Sequence, residues 1–230
     1  MPVRYSGYFL LICNLFVACL IAANVIAVKP MELAGRVLPA GVIVFPVSYI
    51  IGDVLTEVYG YARARLVIWI GFLANLLFVA AAVAGGLVPA AGFWADQGAY
   101  DAILGYTPRL LAASFAAYLV GEFANAFVLA RMKVATGGRF LWARTIGSTV
   151  VGQGLDSAVF ILIAFAGTQP GSVLWESVLN VWVFKTGYEV LATPLTYTVV
   201  NRLKKLEGVD AFDTATDFNP LPFVTAGGRR

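Results

Sequence analysis

Long apolar stretches alternate with short polar segments from the N-terminus to about residue 200. Six of them are long enough to cross a bilayer as helices, because a span needs about 20 apolar residues. They lie near residues 7–28, 41–60, 65–88, 109–130, 146–166 and 174–200. The second contains Pro46 and Gly52, so a bent or broken helix is expected there. The pattern predicts an all-α, polytopic integral membrane protein, a bundle of six transmembrane helices.

Polar residues inside these stretches recur at helical spacing, which places them on one face of each predicted helix. Asp53 and Glu57 are four residues apart in the second stretch, one helical turn from each other. The third stretch has only Asn75, which predicts a peripheral, lipid-facing helix. The other five contribute the candidate substrate-binding residues Asn24, Asp53, Glu57, Ser114, Glu122, Asn125, Gln153, Asp156, Trp182, Lys185 and Glu189.

The charge of these candidates is strongly one-sided, because five are acidic and only Lys185 is basic. Each unpaired charge at the centre of a bilayer costs about 2.5–3.5 kcal/mol on insertion scales. A purely structural explanation would pair Lys185 with Glu189 and use the amides to join helices. That explanation suits single residues better than the whole set. The pattern therefore favours a wet central cavity of net acidic character that binds a polar, donor-rich ligand.

Basic residues outside the spans predict the orientation of the bundle. With six spans, the side that carries both termini holds twelve lysines and arginines, and the other side holds Lys29, Arg36 and Arg109. Loops rich in Lys and Arg remain in the cytoplasm. Both termini are therefore expected to be cytoplasmic. We expect a transmembrane domain over residues 1–206 and a solvated or loosely docked cytoplasmic tail over residues 207–230.

Composition narrows the function classes. The chain is 60% hydrophobic and 13% charged, whereas soluble domains are about 45–50% apolar and about 25% charged. It has no histidine, which excludes His-based acid–base catalysis and His metal ligation. It also lacks a Walker A loop and a dinucleotide-binding glycine motif. We expect no enzyme, no cofactor, no metal and no nucleic-acid partner.

The second span resembles a family signature, through Phe45-Pro46, Tyr49, Asp53, Glu57-Val58-Tyr59-Gly60 and Arg63. The signature is that of the queuosine precursor transporters, also called the vitamin-uptake-transporter-like family. Further similarities are Asn24 with Lys29, Ser114 with Glu122 and Asn125, Asp156, Lys185, and the tail from Leu206 to Pro220. The tail departs from the family pattern where Leu221-Pro222 precede Phe223.

The resemblance implies uptake of 7-deazaguanine bases, such as 7-cyano- and 7-aminomethyl-7-deazaguanine, across the bacterial inner membrane. A guanine-like base presents N–H donors that suit a carboxylate, and a carbonyl that suits an amide or an ammonium group. The candidate acceptors are Asp53, Glu122 and Asp156, and the candidate donors are Asn24, Asn125, Gln153 and Lys185. For Glu57, pairing with Arg63 or gating is an equally good interpretation.

Three functions are compatible with these sequence features. The first is a secondary transporter for a small nucleobase-like molecule, driven by a proton gradient or working by facilitated diffusion. The second is the substrate-binding membrane subunit of an energy-coupling importer. The third is an intramembrane enzyme, for which Asp53 and Asp156 would formally provide an aspartyl pair, although that leaves the other buried charges unexplained. The expected surroundings are a lipid bilayer, and a homo-oligomer remains open.

Overall fold

The described residues form a bundle of six long helices with a short hairpin and one additional short helix. The computed structural model describes residues 5–33, 36–105 and 107–221, so Arg4, Phe223 and Arg229–Arg230 lie outside the described residues. The helices are α1 (Gly7–Ile26), α2 (Phe45–Tyr59), α3 (Tyr61–Leu87), α4 (Gln97–Leu104), α5 (Pro108–Ala135), α6 (Leu141–Phe165) and α7 (Gly171–Glu207). The predicted all-α bundle is confirmed.

Local sequence explains where several helices begin and end. Ser6 caps α1 by accepting a hydrogen bond from the Phe9 amide at 3.0 Å, and Thr107 precedes Pro108 at the start of α5. Between α2 and α3 the chain turns at Gly60, whose φ of 84° is unfavourable for residues with a side chain. This single residue separates the two helices, so the turn between them is very tight.

The predicted break in the second span is present, but at a different place from Gly52. A hairpin of β1 (Pro30–Leu33) and β2 (Arg36–Pro39) pairs Met31 with Leu38 and leads into a 3-10 helix (Ala40–Ile43). The break then falls at Val44, and α2 starts just before Pro46. Gly52 lies inside a continuous helix, where a Cβ atom would come 3.2 Å from Glu122 Oε2. Its small size therefore allows α5 to approach α2.

Five described helical segments are long and apolar enough to cross a membrane: α1, the 3-10 helix with α2, α3, α4 with α5, and α6. The sixth, α7, is 37 residues long but carries Lys185 and Glu189 on its buried face. It packs against α2 and α6. Lys185 and Glu189 therefore face the interior of the bundle, where polar residues of the other helices also lie.

Helix α2 is the most enclosed of the spans, and it contacts α1, α3, α5 and α7. Its apolar residues Val54, Leu55 and Val58 join the main core with Phe16 from α1. In contrast, α3 exposes Ile70, Leu73 and Leu77, as expected for a lipid-facing helix, although its Asn75 is buried. The position of α2 places Asp53 and Glu57 inside the bundle.

Helices α5 and α6 approach each other most closely at two glycines. A Cβ atom at Gly121 would lie 3.1 Å from the Gly152 carbonyl oxygen, and one at Gly152 would lie 2.9 Å from that of Gly121. Such small residues let two backbones touch in a membrane bundle. This contact brings Asn125 on α5 close to the polar residues of α6.

The expectation of a solvated or loosely docked tail is wrong for residues 208–221. Both carboxylate oxygens of Asp213 accept from the Tyr61 amide, at 3.2 and 3.0 Å. The Ala211 amide donates to the Val58 carbonyl at 3.1 Å, and the Trp69 indole donates to the Pro220 carbonyl at 2.7 Å. The tail thus satisfies backbone groups at the ends of α2 and α3. Its cytoplasmic location and its separation as a domain remain predictions.

Candidate functional site

Buried polar residues from four helices meet near the middle of the bundle. We define the central polar cluster as Tyr49 and Asp53 of α2, Asn125 of α5, Gln153 of α6 and Glu189 of α7. Each is at most 3% exposed. One described hydrogen bond links two of them, from Asn125 Nδ2 to Asp53 Oδ1 at 2.6 Å. Asp53 also interacts electrostatically with Glu189 and with the nearby Glu122.

Most of the cluster's hydrogen-bonding capacity is unused among the described residues. The buried atoms without a partner there are Tyr49 Oη, Asp53 Oδ2, Asn125 Oδ1, Gln153 Oε1 and Glu189 Oε1. Three further buried hydroxyls, of Thr149, Ser157 and Thr186, also have no partner among the described residues. An unpaired buried polar atom typically costs about 1–3 kcal/mol. So many such atoms on the buried faces of α2, α5, α6 and α7 favour a ligand site over helix packing alone.

Asp156 and Lys185 form an ion pair beside this cluster. Lys185 Nζ lies 2.5 Å from Asp156 Oδ2 and joins α7 to α6. The alternative pairing of Lys185 with Glu189 along one helix is therefore wrong in this structure. Glu122 is buried nearby and interacts electrostatically with both members of the pair. Three further predicted site residues are thus brought next to the cluster.

Glu57 lies one turn from Asp53 but in a different environment. Arg144 donates to both of its carboxylate oxygens, at 3.0 and 2.8 Å, and Lys204 donates to Oε1 at 2.6 Å. Lys133 lies 3.4 Å from the same oxygen. The predicted partner Arg63 instead places its guanidinium 5.7 Å from the Tyr59 ring centroid. Pairing of Glu57 with Arg63 is therefore wrong.

The tail completes this set of charges. Asp210 Oδ1 lies 2.5 Å from Lys133 Nζ and 2.8 Å from Lys204 Nζ. We define the tail-end charge cluster as Glu57, Lys133, Arg144, Lys204 and Asp210. Burial raises the pKa of Asp210, but the hydrogen bonds from Lys133 and Lys204 outweigh burial and hold that pKa below its ordinary value. Because each acid here has cationic partners, Glu57 is fully engaged within the protein.

Asn24 and Ser114 are separated from the central polar cluster. They line a small cavity of about 30 Å³ with Asn75, Val79 and Leu110. Asn24 Nδ2 donates to Asn75 Oδ1 at 3.3 Å, so two amides join α1 to α3. The lipid-facing helix α3 therefore uses its polar residue for packing. The structure does not place Asn24 or Ser114 beside Asp53.

Trp182 also has a structural contact. Its indole N–H donates to the Val150 carbonyl at 2.9 Å, and a Cβ atom at Gly154 would lie 3.3 Å from its Nε1. This side chain packs α7 on α6, and its donor is already used. Of the predicted site residues, the structure thus brings together Asp53, Glu122, Asn125, Asp156, Lys185 and Glu189, and Gln153 is buried on α6.

Sequence reasoning missed Lys133, Arg144, Lys204 and Asp210. The three cations stand at helix ends, and their positions near the ends of apolar stretches suggested loop charges. Among these cations, only Lys133 had a sequence signal of burial, because it stands between the apolar residues Met132 and Val134. No group of three or more acidic or cysteine residues that could hold a metal ion occurs within the described part of the chain.

The predicted wet cavity stays a prediction. Around Glu122 and Asn125 the structure has a narrow crevice, lined mainly by apolar residues of α1, α2 and α3. The residues of the central polar cluster are each at most 3% exposed, so the site is closed to solvent in this conformation.

Comparisons with known proteins identify the family. A family model described as "Putative vitamin uptake transporter" matches residues 39–199. The "Probable queuosine precursor transporter" of Bacillus subtilis is 31% identical over 180 residues, 77% of this chain and 78% of the relative. The "Queuosine precursor transporter" of Escherichia coli is 28% identical over 163 residues, 70% of each. No solved structure matches the chain.

These matches cover most of the chain, and the family model includes all the residues that meet near Asp53. They confirm the resemblance that the second span carries. They also show a multi-pass protein of the cell membrane that acts in transport rather than as an enzyme. The chain belongs to the queuosine precursor transporter, or vitamin-uptake-transporter-like, family.

Proposed function

We propose that this chain takes up queuosine precursors across the bacterial inner membrane, and that its substrates are 7-deazaguanine bases such as the 7-cyano and 7-aminomethyl forms. The two relatives are named for this class of molecule. In the proposal, the base binds at the central polar cluster. The observation that carries it is the set of buried polar atoms there that have no partner among the described residues.

The unpartnered atoms match the chemistry of a guanine-like base. Four of them, on Asp53, Asn125, Gln153 and Glu189, are oxygens that accept hydrogen bonds. The pyrimidine edge of such a base offers adjacent N–H donors, which a carboxylate accepts strongly. Hydroxyls of Tyr49 and of the neighbouring Thr and Ser residues can donate to its carbonyl. Binding would thus satisfy atoms that are otherwise buried without partners.

The closed conformation fits an occluded intermediate of transport. Both carboxylates of the cluster are shielded from solvent, with Asp53 0% and Glu189 1% exposed. Because the cluster is shielded from solvent, the local dielectric is low, which strengthens each hydrogen bond to a ligand. Opening toward either side of the membrane then requires α6 and α7 to move relative to α2. Those are the helices that the tail-end charge cluster joins.

The binding test uses the purified full-length protein in detergent. Thermal shift and calorimetry would compare 7-cyano- and 7-aminomethyl-7-deazaguanine with adenine, which lacks the paired N–H donors and carbonyl of the guanine edge. We expect stabilisation by both deazaguanines and none by adenine. Equal responses to all three bases, or no response to any, would refute the proposed site.

The transport test separates this proposal from its main alternative, the binding subunit of an energy-coupling importer. Proteoliposomes containing only this chain should accumulate or exchange radiolabelled 7-deazaguanine bases above the level of empty liposomes. Binding without uptake, restored by partner subunits from membranes, would favour the importer subunit instead.

A further inference from the structure

The Asp156–Lys185 ion pair is more accessible than the carboxylates of the central polar cluster. The two side chains are 16% and 9% exposed, whereas Asp53 is fully buried. A Cβ atom at Gly121 would lie 2.7 Å from Asp156 Cβ and 2.8 Å from Tyr49 Oη. Asp156 and Tyr49 therefore meet at the same point on α5. The pair borders the central polar cluster at its Tyr49 edge.

This border region contains more than the ion pair. Glu122 interacts electrostatically with both Asp156 and Lys185. Lys185 Nζ also lies 5.7 Å from the centroid of the Phe45 ring. The region therefore offers an ion pair, a further carboxyl group and an aromatic face. The central polar cluster has no cation among the described residues.

We infer that the Asp156–Lys185 pair senses the charge of the substituent at position 7 of the bound base. A primary ammonium group on that substituent competes with Lys185 for Asp156 and is attracted to Glu122. A neutral nitrile cannot do this, but its nitrogen accepts a hydrogen bond from Lys185. The ratio of affinities for the two bases then depends on which member of the pair is present. This inference rests on the proposed function.

The experiment measures binding of 7-aminomethyl-, 7-cyano- and unsubstituted 7-deazaguanine to full-length protein by calorimetry. Lys185→Met leaves the Asp156 carboxylate unopposed, so the ratio of aminomethyl to cyano affinity should rise about tenfold or more. Asp156→Asn should lower that ratio by a similar factor, because Lys185 then repels an ammonium group. Affinity for the unsubstituted base should change least in both variants.

Matched controls use exposed residues of the same helix. Lys205→Met and Glu176→Gln make the same changes of charge on the surface of α7, and both should keep the wild-type ratio. Lys185→Arg conserves the charge and should also keep the preference. Because removal of one partner can destabilise a buried pair, the double variant Lys185→Met/Asp156→Asn provides a neutral replacement. Its ratio should lie between those of the two single variants.

The outcomes distinguish this inference from the proposed function. If the wild-type protein binds none of the three bases, the proposed function itself fails. If it binds them but the two single variants change all affinities in parallel, only the inference about the pair is overturned. Opposite changes of the ratio in the two variants would support it, because a general loss of folding lowers all three affinities together.

Discussion

Asp53 and Glu57 are carboxylates one turn apart on the same face of α2, yet their partners differ completely. Glu57 is bound by Arg144 and Lys204, with Lys133 close by. Asp53 contacts no cation among the described residues and keeps one oxygen without a partner. The difference shows that burial of an acid in a membrane span does not by itself mark a substrate ligand. What distinguishes the two is whether the protein already satisfies the carboxylate.

Of these variants, Asp53→Asn should have the largest effect, which is a loss of transport. The amide keeps the size of the side chain and an oxygen for the hydrogen bond from Asn125. It removes the charge that accepts donors of the base, so uptake should fall about a hundredfold or more. The thermal midpoint of the purified protein should stay close to that of the wild type. Uptake into proteoliposomes, normalised to inserted protein, measures the change.

The matched control for this variant is Glu176→Gln, an equivalent change at an exposed residue of α7. It should leave uptake unchanged. Near-normal uptake in Asp53→Asn would remove Asp53 from the site. A large loss of thermal stability in that variant would instead show that Asp53 stabilises the fold, as Glu57 does.

Glu57→Gln should have its largest effect on stability. The change leaves the buried Arg144 and Lys133, each 1% exposed, without their shared anion. Breaking a buried ion pair by removal of one partner costs about 3–5 kcal/mol. We expect the free energy of unfolding in detergent to fall by about that amount. Denaturant titration followed by circular dichroism measures it.

The contrast between Asp53 and Glu57 also predicts the transport activity of Glu57→Gln. Uptake per correctly folded molecule should fall by less than about tenfold, since Glu57 has no atom free for substrate in this conformation. A variant that is as stable as the wild type but inactive would show that the tail-end charge cluster acts in the transport cycle instead.

The sequence predicted that Glu57 could differ in role from Asp53, but it named the wrong partner, Arg63 instead of Arg144 and Lys204. Helical spacing placed Asp53 and Glu57 inside the bundle because a polar face in an apolar span must turn away from lipid. The partners of Glu57 lie 87 and 147 residues away, at the ends of α6 and α7. Which loop charge turns inward depends on how helices pack, and no spacing along one helix contains that information.

The same limit explains Asn24 and Ser114. Their chemistry suits a substrate site, and the first and fourth spans do reach the polar interior. Their positions relative to Asp53 depend on their depth in the bundle and on the rotation of the helices that carry them, α1 for Asn24 and α5 for Ser114. The structure pairs Asn24 with Asn75 across α1 and α3. A stripe of polar residues therefore predicted which face of a helix is buried, but not which polar groups of the neighbouring helices that face contacts.

Asp213→Ala tests whether the docked tail, like Glu57, stabilises the fold without binding substrate. The Asp213 carboxylate accepts from the first amide of α3 and from Thr216 at 2.7 Å. Loss of such a cap typically costs about 1–2 kcal/mol. The free energy of unfolding should fall by that amount while uptake per folded molecule is retained. Asp213→Asn keeps an acceptor oxygen, so its effect should be smaller.

The smallest expected effect is the pH response of tail docking through Asp210. The pKa of this carboxyl is held below its ordinary value of about 3.9 by Lys133 and Lys204. Its contribution is therefore fully present above that ordinary value and is lost as the pH falls through the lowered pKa of the folded state. The tail should remain docked from neutral pH down to about pH 4 and loosen only in stronger acid.

Hydrogen exchange at the Ala211 amide, which donates to Val58, measures this loosening once the intrinsic pH dependence is removed. The effect should be modest because the Asp210 side chain is 47% exposed and its ion pairs are screened by solvent and salt. Asp210→Asn should speed exchange slightly at neutral pH and flatten the response to acid. If it changed uptake as strongly as Asp53→Asn, satisfied and unsatisfied carboxylates would not divide into structural and substrate-binding groups.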